Sequence, residues 1–278
     1  MKFLVIFSAL ILAATSFTTT NWCLTRPYDP ELDQEVSLQA KLSSNSARPY
    51  VTIPTHFHII TGFDGPEVVG DISDKVISKQ LKVINNAFSK AGFKFSLAST
   101  DRTSNTGWFY HIYGTPQDRP VKTALKKGNS EHLNIYISSP PGGILGYSSY
   151  PQDYEADPIM DGIILHTEAI VEGKFENYNL GDILVHQVGH WLGLFHTFEG
   201  GCNAFDGDFV FDTPAEASPS FACSKKRDTC TGSAEFNGRD PVTNYMDLSD
   251  DSCRNTFSYG QTIRMKNMYN AYRKVAPT

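Results

Sequence analysis

The 278-residue chain has no block of Lys or Arg and no Cys-x-x-Cys pair. It also has no Asn-x-Ser/Thr acceptor, no glycine-rich stretch ending in Gly-Lys-Ser/Thr, and no second long apolar run after its N-terminus. Each absence removes a class of protein. With 24 basic against 30 acidic residues and a formal net charge of −6, nucleic acid and anionic membrane are poor partners. Without Cys-x-x-Cys, a second, cysteine-based zinc site is disfavoured. Without the phosphate-loop ending, the stretch Ser138 to Pro151, with Gly142, Gly143 and Gly146, reads as a surface loop and not as a nucleotide cradle. No N-glycosylation is expected.

What is present begins with an export signal. Lys2 precedes an apolar core from Phe3 to Leu12, followed by small residues, and cleavage after Ser16 fits a signal peptide spanning 1–16. A run of about 12 apolar residues is short of the ~20 a bilayer span needs. The chain is therefore expected to be secreted. Residues 17–48, with Pro27, Pro30 and an acidic run from Asp29 to Glu35, lack strand or helix period and read as a pro-segment or flexible leader. Residues 49–278 hold the folded part. At 40% hydrophobic and 19% charged residues, the composition is that of an ordinary globular chain, here expected to be a monomer.

Of five cysteines, Cys202, Cys223, Cys230 and Cys253 cluster in the last third, and Cys23 stands apart. In a secreted chain the four read as two disulfides, with three pairings open.

Hydrophobic periodicity supplies the framework. Val51, Ile53, Thr55, Phe57 and Ile59 alternate as a strand, with Pro54 pointing to an edge or a break. His56 and His58 share one strand face, read as a polar face more readily than as a ligand pair. Ile77, Leu81, Ile84, Phe88 and Ala91 mark an amphipathic helix within 71–92, stopped by Gly92. Phe93 to Leu97, Trp108 to Tyr113, Leu133 to Ile137 and Asp161 to His166 are further strands, and a terminal helix runs from about Tyr259 to Val275. Strand, helix, strand in this order implies a sheet backed by a helix. Asp206, Asp208, Asp212 and Thr213 form an oxygen-rich loop, read as solvent-facing acids or as a calcium site.

The densest chemistry lies between His186 and His196. A helix starting near Asn179, with Asp182 in its first turn, carries His186 and His190 four residues apart, on one face and a turn from each other. Gly193 can take positive φ, so the helix can stop and the chain can turn. His196 then returns as a third imidazole. Three nitrogens with one position left over is the ligand set of a catalytic zinc. The residue after the first histidine is Gln187. An amide cannot take a proton from water, whereas the glutamate of a His-Glu-x-x-His site can.

This stretch resembles the metzincin peptidases, whose signature is His-Glu-x-x-His-x-x-Gly-x-x-His followed by a Met-turn. Asn244-Tyr245-Met246-Asp247, with Met246 fifty residues after His196, is similar to that turn. Trp191 to Phe198, Asp212-Thr213-Pro214 and Asn244 to Cys253 resemble the pappalysin family in its short secreted fungal and microbial form. The resemblance implies an α+β fold of metzincin type. An upper subdomain, 49–193, would hold a twisted, mostly parallel sheet with two helices. An irregular lower subdomain, 194–278, would hold Met246, two disulfides and the C-terminal helix. It implies Zn²⁺ on His186, His190 and His196, pairing of Cys202 with Cys230 and of Cys223 with Cys253, and Ca²⁺ near Asp208 to Thr213. It further implies hydrolysis of peptide bonds by zinc-activated water, acting on an extended peptide or protein. Cys23 is a candidate cysteine switch, its thiolate filling the open metal position; a free or intermolecular cysteine is the alternative. Two departures stand out: Gln187 at the general-base position, and Leu248 where many relatives carry a tyrosine. The functional readings are a metalloendopeptidase, an inactive zinc-binding relative that binds peptide or protein, or an active enzyme whose base has been substituted.

Overall fold

The computed structural model describes residues 22–27, 29, 50–111, 118–202, 207–231 and 238–275. The signal peptide expected at 1–16 lies outside them. Six strands form one sheet. These are β1 (Val51–Asp64), β2 (Glu67–Val69), β3 (Phe93–Ser104), β4 (Leu133–Ser138), β5 (Gly146–Ser148) and β6 (Ile163–His166). The order is β2-β1-β4-β6-β5, with β3 also on β1. The β1/β3, β1/β4 and β4/β6 pairs are parallel, while β2 and β5 run antiparallel to their neighbours. The expected mostly parallel sheet is present.

Helix α1 (Asp74–Phe88) is capped by Ser73, which accepts from Val76 N, and buries Ile77, Ile84 and Phe88. An N-cap of this kind contributes about 1 kcal/mol. Short helices α2 (Thr106–Phe109) and α3 (Asp118–Leu125) lie on the other face of the sheet, with Ile60, Phe109, Val121, Tyr136, Tyr147 and Ile164 packed there. The larger core joins β1, β3, β4, β6 and α1 to α4 (Asp182–Trp191). Among the described residues beyond α4, α5 (Tyr259–Met268) and the π-helical turn Tyr269–Arg273 are the regular elements. Disulfides Cys202–Cys230 and Cys223–Cys253, with Cα atoms 5.4 and 5.5 Å apart, hold the loops between.

Several expectations need correction. Of the strand expected over Trp108 to Tyr113, the described part, Trp108 to His111, is not a strand. Asn105 accepts from Trp108 N and caps α2, so a local side-chain bond turns the chain after a strand that already extends to Ser104. The loop expected over Ser138 to Pro151 contains β5, all three residues of which are buried. Gly146 permits this, because a Cβ there would sit 3.1 Å from Gln187 Cγ. The central helix begins at Asp182 and not near Asn179, after Gly181 at φ 96°. Gln80 Nε2 fixes that turn by donating to the Gly181 carbonyl. Pro54 pairs only with β3, ahead of the first β1/β4 pair at Thr55, which is a local edge as expected. His56 and His58 lie on a polar face as expected, although that face is buried. His56 bonds Ser99 and His132, and His58 bonds Asp101 and Asn134.

Candidate metal centre

Residues 22–27 and Asp29 are the described part of the expected pro-segment or leader. Residues 22–27 are laid along the outer edge of β5. Leu145 N donates to the Trp22 carbonyl (2.9 Å), and Leu24 N donates to the Gly146 carbonyl (3.3 Å). Trp22 is fully buried and Cys23 nearly so. The Trp22 ring packs edge-on to His186, and its Nε1 donates to the Leu248 carbonyl at 3.3 Å. Burying a side chain of this size stabilises by on the order of 3 kcal/mol.

This insertion delivers Cys23 to the three histidines. His190 Nε2 stands 3.0 Å from His186 Nε2 and 3.2 Å from His196 Nε2, and Cys23 Sγ is 3.6 Å from His190 Nε2. The four atoms lie within 4.8 Å of one another and all four residues are buried; among the described residues this is the one group so placed. The other ring nitrogens fix the tautomers. His186 Nδ1–H donates to the Tyr245 carbonyl (2.7 Å), and His190 Nδ1–H donates to the Leu194 carbonyl (2.8 Å). Their Nε2 lone pairs therefore face each other with no proton between them, which only a shared cation makes favourable. Tetrahedral zinc, at about 2.0–2.1 Å to nitrogen and 2.3 Å to sulfur, sets ligands about 3.3 Å (N to N) and about 3.6 Å (N to S) apart. The three spacings around His190 Nε2 fit that set.

The charges agree. Burial raises the Cys23 thiol pKa, but the imidazoles of His186, His196 and His190 outweigh it and hold the thiol well below its usual value. Burial pushes His186 down to about 3 and lowers His190. Burial also opposes a charge on His196, but the Cys23 thiolate and Glu199 outweigh it and raise that histidine to about 9. The thiolate thus pairs with positive charge held on His196, which a cation bound here would replace by displacing that proton.

Gln187 lies beside the cluster, fully buried. Its Nε2 donates to Cys23 Sγ (3.3 Å), and its Oε1 accepts from Thr25 Oγ1 (3.1 Å). Thr25 Oγ1 in turn accepts from Ser148 N (3.0 Å). Met246 is buried beneath the histidines, where a Cβ on Gly189 would collide with its sulfur. Gly193 has φ 94° and ends the helix as expected. Leu248 is buried and offers the site only its carbonyl.

The calcium expectation finds no support. Asp206 lies outside the described residues. Asp208 accepts from Thr213 Oγ1 and Val210 N, and Asp212 accepts from Ser258 Oγ and Gly260 N at the start of α5. These carboxylates are turned toward hydroxyls and amides, not toward one another. Thr25, Tyr150 and the carbonyls of Leu194 and Tyr245 escaped the sequence reading. The one available signal was a Trp-Cys pair in an otherwise polar leader.

A parallel sheet over a His-x-x-x-His helix, a glycine turn, a third histidine and a buried methionine define a metallopeptidase of the metzincin class. Residues 120–270 match the family model described as pregnancy-associated plasma protein-A. Extracellular metalloproteases of Pyricularia oryzae and Colletotrichum graminicola are 42% and 38% identical to the chain. The first similarity covers 80% of this chain and 76% of the relative; the second covers 87% and 85%. A mutant of Tannerella forsythia promirolysin superposes with a TM-score of 0.73 at 25% identity, covering 87% of this chain and 88% of that one. The chain belongs to the pappalysin, or pregnancy-associated plasma protein-A, family of metallopeptidases.

Proposed function

We propose that this is a secreted zinc protein of the family, with a cleft that binds an extended peptide and hydrolyses it only at a residual rate. On this reading 17–48 is a pro-segment, and the cleft lies between 49–193 and 194–278. His186, His190 and His196 hold the zinc, and Cys23 is the fourth ligand of the latent form. The protein acts as a monomer.

Zinc held there supplies Lewis acidity to a peptide carbonyl. The chain's own residues do the rest. The β5 edge aligns an extended backbone, as its bonds to Trp22 and Leu24 support. Buried Trp191 and Leu194 pack around the helix end and help keep water out. Proton transfer is the missing part. Gln187 can orient a donor or an acceptor but cannot accept a proton, and that one residue carries the reading of slow turnover. Loss of a general base typically costs 10²–10⁴-fold. Leu248 in place of a hydroxyl donor lowers stabilisation of the developing oxyanion further, by on the order of 10²-fold. A protein that only binds its peptide or protein partner is the second reading, favoured by the same residue.

The test compares full-length Cys23→Ala with Cys23→Ala/Gln187→Glu, both zinc-loaded, on a denatured protein substrate. The double variant is expected to cleave at least about 10²-fold faster. Equal, robust rates would mean that another residue serves as base, and a metal-free preparation would remove the zinc assignment itself.

A further inference from the structure

Beside the metal cluster the leader fills a second position. Arg26, three residues past Cys23, sends its guanidinium between a ring and a carboxylate. Its carbon lies 4.9 Å from the centroid of the Tyr150 ring. Its Nη2 is 2.9 Å from Asp153 Oδ1, and its Nε is 3.4 Å from Oδ2. Both receptors also have contacts outside the leader. The Tyr150 ring is fully buried and stands edge-on to His190, with centroids 5.6 Å apart. Asp153 Oδ2 accepts from Tyr150 N, which ties the carboxylate to the same turn. Tyr150 also reaches the backbone of its occupant, donating its hydroxyl to the Arg26 carbonyl at 3.1 Å.

The site opens into a cavity of about 130 Å³ lined by Arg26, Tyr147, Ser148, Asp153, Tyr154 and Asp157, among others. The other charges around it are engaged elsewhere. Asp161 pairs with Arg273, Asp157 pairs with Arg119, and Lys122 at the inner wall donates to the Met160 carbonyl. The ion pair of Asp153 is with Arg26. A planar cation that stacks on an aromatic face and meets a carboxylate edge-on is the natural occupant.

The geometry points to a subsite, formed by Tyr150 and Asp153, that binds an arginine or lysine side chain of a peptide laid along β5, three residues from the one at the metal. Arg26 is the chain's own copy of that ligand. This rests on the reading that residues 22–27 stand where a bound peptide stands. Ser148 N and the Gly146 carbonyl are the anchors a second peptide would use, since both already bond the leader. Arginine is favoured over lysine, because its flat fork can stack and pair at once.

The test uses the zinc-loaded full chain with Trp22→Ala, Cys23→Ala and Arg26→Ala combined, so that its own segment no longer competes through its strongest contacts. Three fluorescent, end-capped peptides with the core Trp-Cys-Leu-Thr-Arg, or with Ala or Glu in place of Arg, are titrated by anisotropy. The Arg peptide is expected to bind about 10-fold tighter than the Ala peptide, and the Glu peptide weakest, as for a half-exposed charged hydrogen bond. In the same chain with Asp153→Asn, the Arg and Ala peptides should converge to within about 2-fold. Equal binding of Arg, Ala and Glu peptides to the chain with Asp153 intact overturns the subsite while leaving the cleft in place, and needs no further variant to fold. Binding of none of the three overturns the cleft reading, and the subsite with it.

Discussion

Gln187 donates its side-chain amide to Cys23 Sγ across 3.3 Å while accepting from Thr25 through its other end. Gln187 is thereby a fastener for the segment lying over the histidine cluster. A carboxylate in its position would turn a negative oxygen toward a buried thiolate.

Gln187→Ala removes both bonds at once. Each contributes about 0.5–1.5 kcal/mol, so Cys23 in the zinc-loaded full chain should react with iodoacetamide about 10-fold faster. An unchanged alkylation rate would mean that the amide holds nothing.

Cys23→Ser replaces a strong sulfur ligand by a weak hydroxyl one. Zinc transfer to a chromogenic chelator at pH 7.5 should speed up by about 10-fold or more. Transfer at the rate of the unaltered chain would place the thiol outside the coordination set.

Acid should weaken the fold through histidines held neutral. Burial, with help from His132, His58 and Lys127, pushes His56 down to about 4, against the partial opposition of Asp101. Burial takes His166 to about 4 as well; its Nδ1 accepts from Glu168 N, leaving its Nε2–H to Ser139. Both pKa values are depressed in the folded state, so the unfolded chain binds more protons below its own value of about 6.5. Their contribution is complete above that pH and is lost as pH falls through about 4. Urea midpoints measured from pH 7 to pH 4 should fall, and His166→Gln should flatten the slope. A slope unaffected by His166→Gln would exclude that histidine.

Gly193→Ala places a side chain at φ 94°, with its Cβ 2.6 Å from Met268 Cγ. The backbone cost alone exceeds about 1 kcal/mol, and Tm should drop by about 4 °C or more. Because the same turn carries His196 back to the cluster, zinc affinity should fall with it. Loss of stability at unchanged affinity would separate the turn from the metal.

The sequence made the metal cluster legible because its logic is local. Four residues are one helical turn, and Gly193 needs only its own φ. The pairing of Cys202 with Cys230 and of Cys223 with Cys253 came through family resemblance, since spacing alone leaves three choices. How the leader lies was not legible, because nothing within it has period. Trp22 and Cys23 are buried by contacts 120 and more residues away, with Leu145, His190 and Leu248. Strand β5 was missed for the complementary reason: three residues in a glycine-rich stretch carry no alternation, and their partner β6 supplies the order. At Asn105 a single side-chain cap overrode β propensity in Trp108 and Phe109.

The leader has one more effect, on the shape of the sheet's border. β5 is the last strand, and residues 22–24 cover its outer side. A molecule that sheds the segment exposes a naked row of amides and carbonyls, the kind of margin that zips onto a neighbour. A margin only three residues long is too short to hold a second copy by itself, so the freed groove is left to an incoming peptide.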